Sequence, residues 1–129
     1  EDVFRVYEGG PVGGPLVVLI HGACSSALTW CWVARGLARA GYRVAAYDAR
    51  GHGATTTSQD TNLSNAQLVA DLEGLVRALS PTQRVVLVGH SLGGAIAARA
   101  RVGAAALVLV DTVEGQVAEG LARRREARS

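Results

Sequence analysis

The sequence predicts an α/β fold, a mainly parallel sheet with helices on both faces. Continuous apolar runs, most of them β-branched, recur at 16–20, 44–47, 85–88 and 107–110. Runs of this kind, unlike alternating ones, mark strands buried on both faces of a sheet. Between them lie segments whose apolar residues are spaced by three and four, the period of an amphipathic helix. Strand and helix therefore alternate along the chain, the order that builds a parallel sheet through right-handed crossovers.

Taken in order, the alternation around Phe4 and Val6 predicts a short first strand over 3–7. Gly9-Gly10-Pro11 and Gly13-Gly14-Pro15 then punctuate a turn before the strand 16–20. Leu28, Trp32, Leu37 and Ala40 fit one helix. The strand 44–47 leads into a polar, threonine-rich loop over 51–62. Leu68, Val69, Leu72, Leu75, Val76 and Leu79 fit a second helix. Its start is specified by Ser64 and Gln67 as a capping box and by Leu63 with Leu68 as a hydrophobic staple. Pro81 is expected to end it. After the strand 85–88 comes an alanine-rich helix over 92–101. The run 107–110 reads as a strand that has neighbours on either side in the whole fold, and in residues 1–129 it is expected to be left as an apolar edge.

Composition narrows the chemistry. At 129 residues, 49% apolar and 19% charged, the chain suits one globular domain at most. All 13 basic residues are arginine, which excludes a P-loop lysine and a Schiff-base lysine. A net charge of +2 gives no case for nucleic acid, and no apolar run is long enough to span a bilayer. Arg123-Arg124-Arg125 reads as a solvated helix face. Cys24 and Cys31 fit no zinc pattern and read as free thiols in preference to a disulfide. No metal or cofactor is expected. The opening carries no signal-peptide pattern, and the lack of any methionine predicts a sequence trimmed at its front.

One motif carries chemistry. The strand 85–88 runs into Gly89-His90-Ser91-Leu92-Gly93-Gly94, and a helix follows. This is G-x-S-x-G in its required setting of strand, tight turn and helix, the nucleophile elbow of the α/β-hydrolase fold. The serine must stand clear of the backbone on a sharp turn, so side chains two before and two after would collide, and Gly89 and Gly93 fill those places. Ser91 is thus the expected nucleophile. A dinucleotide fingerprint is excluded, because Ser91 stands where its second glycine belongs. The oxyanion hole needs the N–H after the nucleophile and another from a loop after an earlier strand. Leu92 and Ala23, the latter in Ile20-His21-Gly22-Ala23, are the expected pair. His21 reads as a brace of that loop, with a catalytic base as the alternative. His90 reads as wall or packing. Asp48-Ala49-Arg50-Gly51-His52-Gly53 reads as a turn organised by Asp48 and Arg50. Asp71 is expected on the second helix, remote from the carboxyl edge of the sheet. Asp111 ends the last strand at that edge, where open α/β folds place their sites, and position alone leaves it either catalytic or a turn cap.

The sequence resembles the protein phosphatase methylesterase family. The resemblance runs through Phe4-Arg5-Val6-Tyr7, Leu19-Ile20-His21-Gly22 followed by Ser26-Ala27-Leu28-Thr29-Trp30, Asp48-Ala49-Arg50 with His52-Gly53, and Gly89 through Ala97. Its most specific piece is Asp111-Thr112-Val113-Glu114-Gly115, similar to that family's Asp-Val-Val-Glu-Gly. The resemblance implies an α/β-hydrolase that removes the methyl ester from the C-terminal leucine of the protein phosphatase 2A catalytic subunit. It implies that subunit as partner, a cytoplasmic or nuclear location, and Asp111 as the triad acid. Ala23-Cys24 departs from a glycine-rich pair in the family's oxyanion loop.

The triad order in this fold is Ser, then Asp or Glu, then His. No histidine follows Asp111. Residues 1–129 are therefore expected to be the amino-terminal part of the domain, lacking its last strands and helices, and inactive and poorly soluble alone. A small-molecule carboxylesterase and a non-catalytic phosphatase-binding module are the competing readings.

Overall fold

The computed structural model describes residues 1–80 and 84–128. Five strands form one sheet: β1 (Val6–Gly9), β2 (Leu16–Ile20), β3 (Arg43–Tyr47), β4 (Val85–His90) and β5 (Ala104–Val110), in the order β1-β3-β2-β4-β5. β2 pairs in parallel with β3 on one side and β4 on the other, β4 pairs in parallel with β5, and β1 is antiparallel to β3. The helices are α1 (Cys31–Arg39), α2 (Asn65–Leu79), α3 (Leu92–Arg99) and α4 (Glu114–Arg128). From β2 the chain moves outward to β3, then returns to the far side of β2 as β4. The strand order reverses there, and in open α/β sheets the crevice outside the carboxyl ends of two such strands is where ligands bind.

Alternate residues of the strands feed two cores. Val18, Ile20, Ala45, Tyr47, Val85 and Leu87 pack with Leu68, Leu72 and Val76 of α2 and Ile96 and Ala97 of α3. Val17, Leu19, Val44, Ala46 and Val88 pack on the other face against Ala27, Trp30 and α1. The continuous apolar runs of β2, β3 and β4 are explained by this two-sided burial.

β5 lies at the edge of the sheet, as expected. Leu107 and Leu109 are half-buried against α3 and α4. Val108 and Val110 point the other way and remain 45% and 41% exposed. Among the described residues, β5 pairs only with β4, and α1, packed on β3 and away from β5, is the only α-helix on that face.

Several boundaries shift. β1 begins at Val6, not residue 3, because the opening residues are drawn to the 55–58 loop: Val3 forms an isolated bridge with Thr56, and the Arg5 N–H donates to Thr55 Oγ1. The first helix begins as a 3-10 turn, Ala27–Trp30, before becoming α-helical at Cys31. α3 stops at Arg99, since Ala100 is extended. Ser64 caps α2 by accepting the Gln67 N–H at 3.3 Å, but half of the capping box is missing. The Gln67 amide donates to Asp71 Oδ1 at 2.8 Å instead of turning back to Ser64. Of the staple pair, Leu68 is buried and Leu63 is exposed. Pro81 lies outside the described residues. Arg124 is not a solvated bystander: it donates to the carbonyls of Ala97, Ala98 and Ala100, covering the C-terminal end of α3 where helix carbonyls lack partners. Cys24 and Cys31 are both free and exposed.

Candidate active site

The turn after β4 holds Ser91 at φ 52° and ψ −119°. A non-glycine residue at positive φ is strained, by roughly 1–3 kcal/mol, and such strain persists where the surroundings enforce it. Here three contacts do so. The Ser91 N–H donates to the Val110 carbonyl at 3.1 Å, its own carbonyl accepts the Gly94 N–H at 2.9 Å, and the Thr112 hydroxyl donates to that carbonyl at 3.3 Å. The flanking glycines are obligatory. A Cβ on Gly89 would lie 2.5 Å from the Gly93 carbonyl oxygen, and one on Gly93 would lie 2.3 Å from that of Ile20. The elbow is therefore closed tightly on itself and pressed against the end of β2.

That end carries the second loop. Gly22 lies directly against the serine, with room for a Cβ only 3.3 Å from Ser91 Cβ and 3.1 Å from His90 Nδ1. His90 thus packs on the loop, as wall. Ala23 and Leu92 line one cavity of about 110 Å³ between the two loops, together with Tyr47, Leu68 and Ile96. The Leu92 N–H opens α3 and has no intrahelical acceptor. The Ala23 N–H has no acceptor among the described residues. The Leu92 N–H thus adjoins the serine at the positive end of the α3 dipole, and Ala23 follows Gly22, which packs on Ser91.

The two nearby histidines are both committed. His21 Nε2 accepts the Ala49 N–H at 3.0 Å, and His21 Nδ1 donates to the Gly22 carbonyl at 2.6 Å. Burial holds its pKa below the ordinary imidazole range, against the opposing pull of the Gly22 bond. His21 is the loop brace that the sequence suggested. His52 ties the neighbouring loop to Cys24 in the same manner. Asp48 and Arg50 organise their turn as expected. Asp48 accepts the N–H groups of Ala27 and Ala54 at 2.8 and 3.0 Å. Arg50, only 4% exposed, forms a two-pronged pair with Asp71 at 2.9 and 3.0 Å and reaches Asp2 at 3.1 Å. The Asp71 bonds push the Arg50 pKa further up, so the guanidinium stays charged. Asp71 is consequently not remote from the carboxyl edge. It lines the same cavity, a placement that needed the Arg50 pairing to be seen.

Asp111 follows β5 at φ 48°, a left-handed position that aspartate tolerates better than most residues. The residues on either side of it, Val110 and Thr112, are the two that bond Ser91. Its backbone is thereby clamped beside the serine, and its carboxylate is exposed to solvent.

Comparison with known proteins finds the same fold. The alpha/beta hydrolase fold family matches residues 15–102. Protein phosphatase methylesterase 1 of Mus musculus is 37% identical over 94% of this chain and 33% of its own length. Methylesterase 3 of Arabidopsis thaliana is 43% identical over 60% of this chain and 30% of its own. A bromoperoxidase from Bacillus anthracis superposes with a TM-score of 0.77 at 31% identity, over 86% of this chain and 41% of that one. The chain thus spans about a third of the length of the curated relatives it matches. One scaffold here carries relatives named for different chemistries, so the fold alone does not choose the reaction. The chain belongs to the α/β hydrolase fold family and, over 94% of its length, resembles the protein phosphatase methylesterases.

Proposed function

We propose that this chain supplies the nucleophile and oxyanion donors of a carboxylic-ester hydrolase of the methylesterase type. The observation that carries the reading is the strained Ser91, held at positive φ beside Leu92 and against Gly22, with no acceptor for the Ala23 or Leu92 N–H among the described residues. Ser91 Oγ attacks the ester carbonyl carbon, and the new C–O bond drives negative charge onto the carbonyl oxygen. The Ala23 and Leu92 N–H groups receive that charge. The intermediate collapses to an acyl-serine and releases the alcohol, methanol for a methyl ester. Water then attacks the acyl group and frees Ser91. The proton passes through a base that Asp111 orients. In this fold that base is a histidine after the acid. Residues 112–129 hold none, so the step is assigned to no residue of this chain.

The substrate reading is the C-terminal leucine methyl ester of the protein phosphatase 2A catalytic subunit. It rests on the names of the relatives and on Asp111-Thr112-Val113-Glu114-Gly115. The free thiols fit a reducing, cytoplasmic compartment. The natural protein carrying this chain should demethylate the methylated phosphatase, and should hydrolyse a leucine methyl ester peptide with higher kcat/KM than p-nitrophenyl acetate. Equal or better use of the simple ester, with no demethylation, would point to a small-molecule carboxylesterase. A non-catalytic phosphatase-binding module has one observation in its favour: His21 and His52 both spend both ring nitrogens on backbone groups. Retained phosphatase binding with no turnover of either ester would establish it.

A further inference from the structure

We propose that His52 is a positioning residue for the oxyanion loop: its Nε2 accepts the Cys24 N–H and so fixes the direction of the neighbouring Ala23 N–H toward Ser91. The inference rests on the reading of Ala23 as an oxyanion donor.

The loop 21–27 has little to hold it in shape by itself. Cys24 sits at φ 60°, where a glycine would be more at ease. What fixes the loop is the loop 48–54 beside it, through three bonds at regular intervals. The Ala49 N–H donates to His21 Nε2 at 3.0 Å, the Cys24 N–H to His52 Nε2 at 3.0 Å, and the Ala27 N–H to Asp48 Oδ1 at 2.8 Å. The first and last secure the ends of the loop. Among the described residues only the His52 bond holds its middle, one residue from the proposed donor.

The chemistry of the ring is settled by its partners. A backbone N–H can only donate, so His52 Nε2 carries no proton. The other nitrogen, Nδ1, lies 2.9 Å from the Arg50 carbonyl, which can only accept. The proton is therefore on Nδ1, the ring is neutral, and both nitrogens are used. The ring cannot drift, because its own anchor is fixed. Arg50 is held by Asp71 and Asp2. Gly53, on the far side, sits so close to Asp48 that a Cβ there would lie 2.2 Å from its carboxylate. A buried ion pair thus transmits rigidity through His52 to the loop that faces Ser91. This supplies at Cys24 the definition that its side chain works against.

The test separates positioning from a merely structural role. In the full chain, nitrogen NMR of the imidazoles should show His52 as the Nδ1–H tautomer at neutral pH. His52→Ala should speed exchange of the Cys24 amide at least about tenfold, while amides of β2 and β4 keep their protection. His52→Gln, whose Oε1 can take the place of Nε2, should restore it. In the natural protein, His52→Ala should lower kcat by up to about a hundredfold with KM little changed, less than full removal of an oxyanion donor costs, and His52→Gln should recover most of it. An Nε2–H tautomer in the parent, or unchanged Cys24 exchange in a folded His52→Ala, would overturn the proposal. If His52→Ala does not fold, the parent tautomer and the His52→Gln exchange still decide it. Failure of the esterase reading shows separately, as turnover that survives Ser91→Ala, and leaves the exchange results standing.

Discussion

Adding one methyl group at Gly93 should loosen the whole site, while the same change at Gly74 should tighten the fold. A Cβ on Gly93 would stand 2.3 Å from the Ile20 carbonyl oxygen and 2.6 Å from that of His21. Both obstacles are backbone, at the point where β2 becomes the oxyanion loop, so neither can swing aside. Relief requires separating α3 from β2, and overpacking of this kind costs about 1–3 kcal/mol. Gly74 lies inside α2 with nothing within 4 Å of a Cβ. Alanine there lowers the entropy of the unfolded chain and should stabilise by about 0.4–1 kcal/mol. With an unfolding entropy near 2.1 cal/mol/K per residue, a chain of this length shifts its Tm by roughly 4 °C per kcal/mol. Gly93→Ala should therefore melt about 4–12 °C below the parent, and Gly74→Ala about 2–4 °C above it. Thermal unfolding followed by far-ultraviolet circular dichroism at low concentration reads both. A Gly93→Ala protein that melts with the parent would refute the close approach of elbow and β2. A Gly74→Ala protein that melts lower would refute the open space around α2.

Three further outcomes follow from the same geometry. Asp111→Asn in the natural protein should lower kcat by about ten-thousandfold, as loss of the correct imidazole tautomer does. Asp48→Asn should act mainly on folding through Ala27 and Ala54, and a larger kcat loss for Asp48→Asn would reverse the assignment. Because burial depresses the His21 pKa in the folded state, the unfolded chain binds the proton first as pH falls. The stability is fully present above about 6.5 and is lost as pH falls from there toward the folded pKa. Urea midpoints at pH 7.5 and 5 should drop more for the parent than for His21→Gln, and an equal drop would remove His21 as the cause. The exposed outer face of β5, which among the described residues pairs in the sheet only with β4, should make residues 1–129 self-associate. Val108→Lys with Val110→Glu should shift the chain toward monomer on a sizing column, and an already monodisperse parent would contradict this.

The strands β2, β3 and β4 were legible because burial on both faces leaves a continuous apolar run that nothing else in the chain imitates. The elbow was legible because its sterics demand glycine at two fixed offsets. β5 was legible as a strand and as an apolar edge, though not through its run alone. Its run looks the same, but a run reports what a strand can bury and not which helices lie over it, and here Val108 and Val110 meet none among the described residues. The capping box was half wrong because Gln67 found Asp71, and Asp71 was misplaced because its partner Arg50 is 21 positions away. The work of His52 left no signal of its own. A histidine in a glycine-bounded turn looks the same whether it braces a loop, catalyses or does neither, and only the bonds to Cys24 and Arg50 distinguish these.

The claim that Ser91 is the acyl nucleophile is tested most directly by turnover of a leucine methyl ester peptide in the natural protein and in its Ser91→Ala variant. The alanine leaves the elbow, both loops and the cavity in place and removes only the attacking oxygen. The account predicts a fall in kcat of about a million-fold, the loss typical of a triad serine, with the variant still folded. Activity within a few-fold of the parent would contradict it.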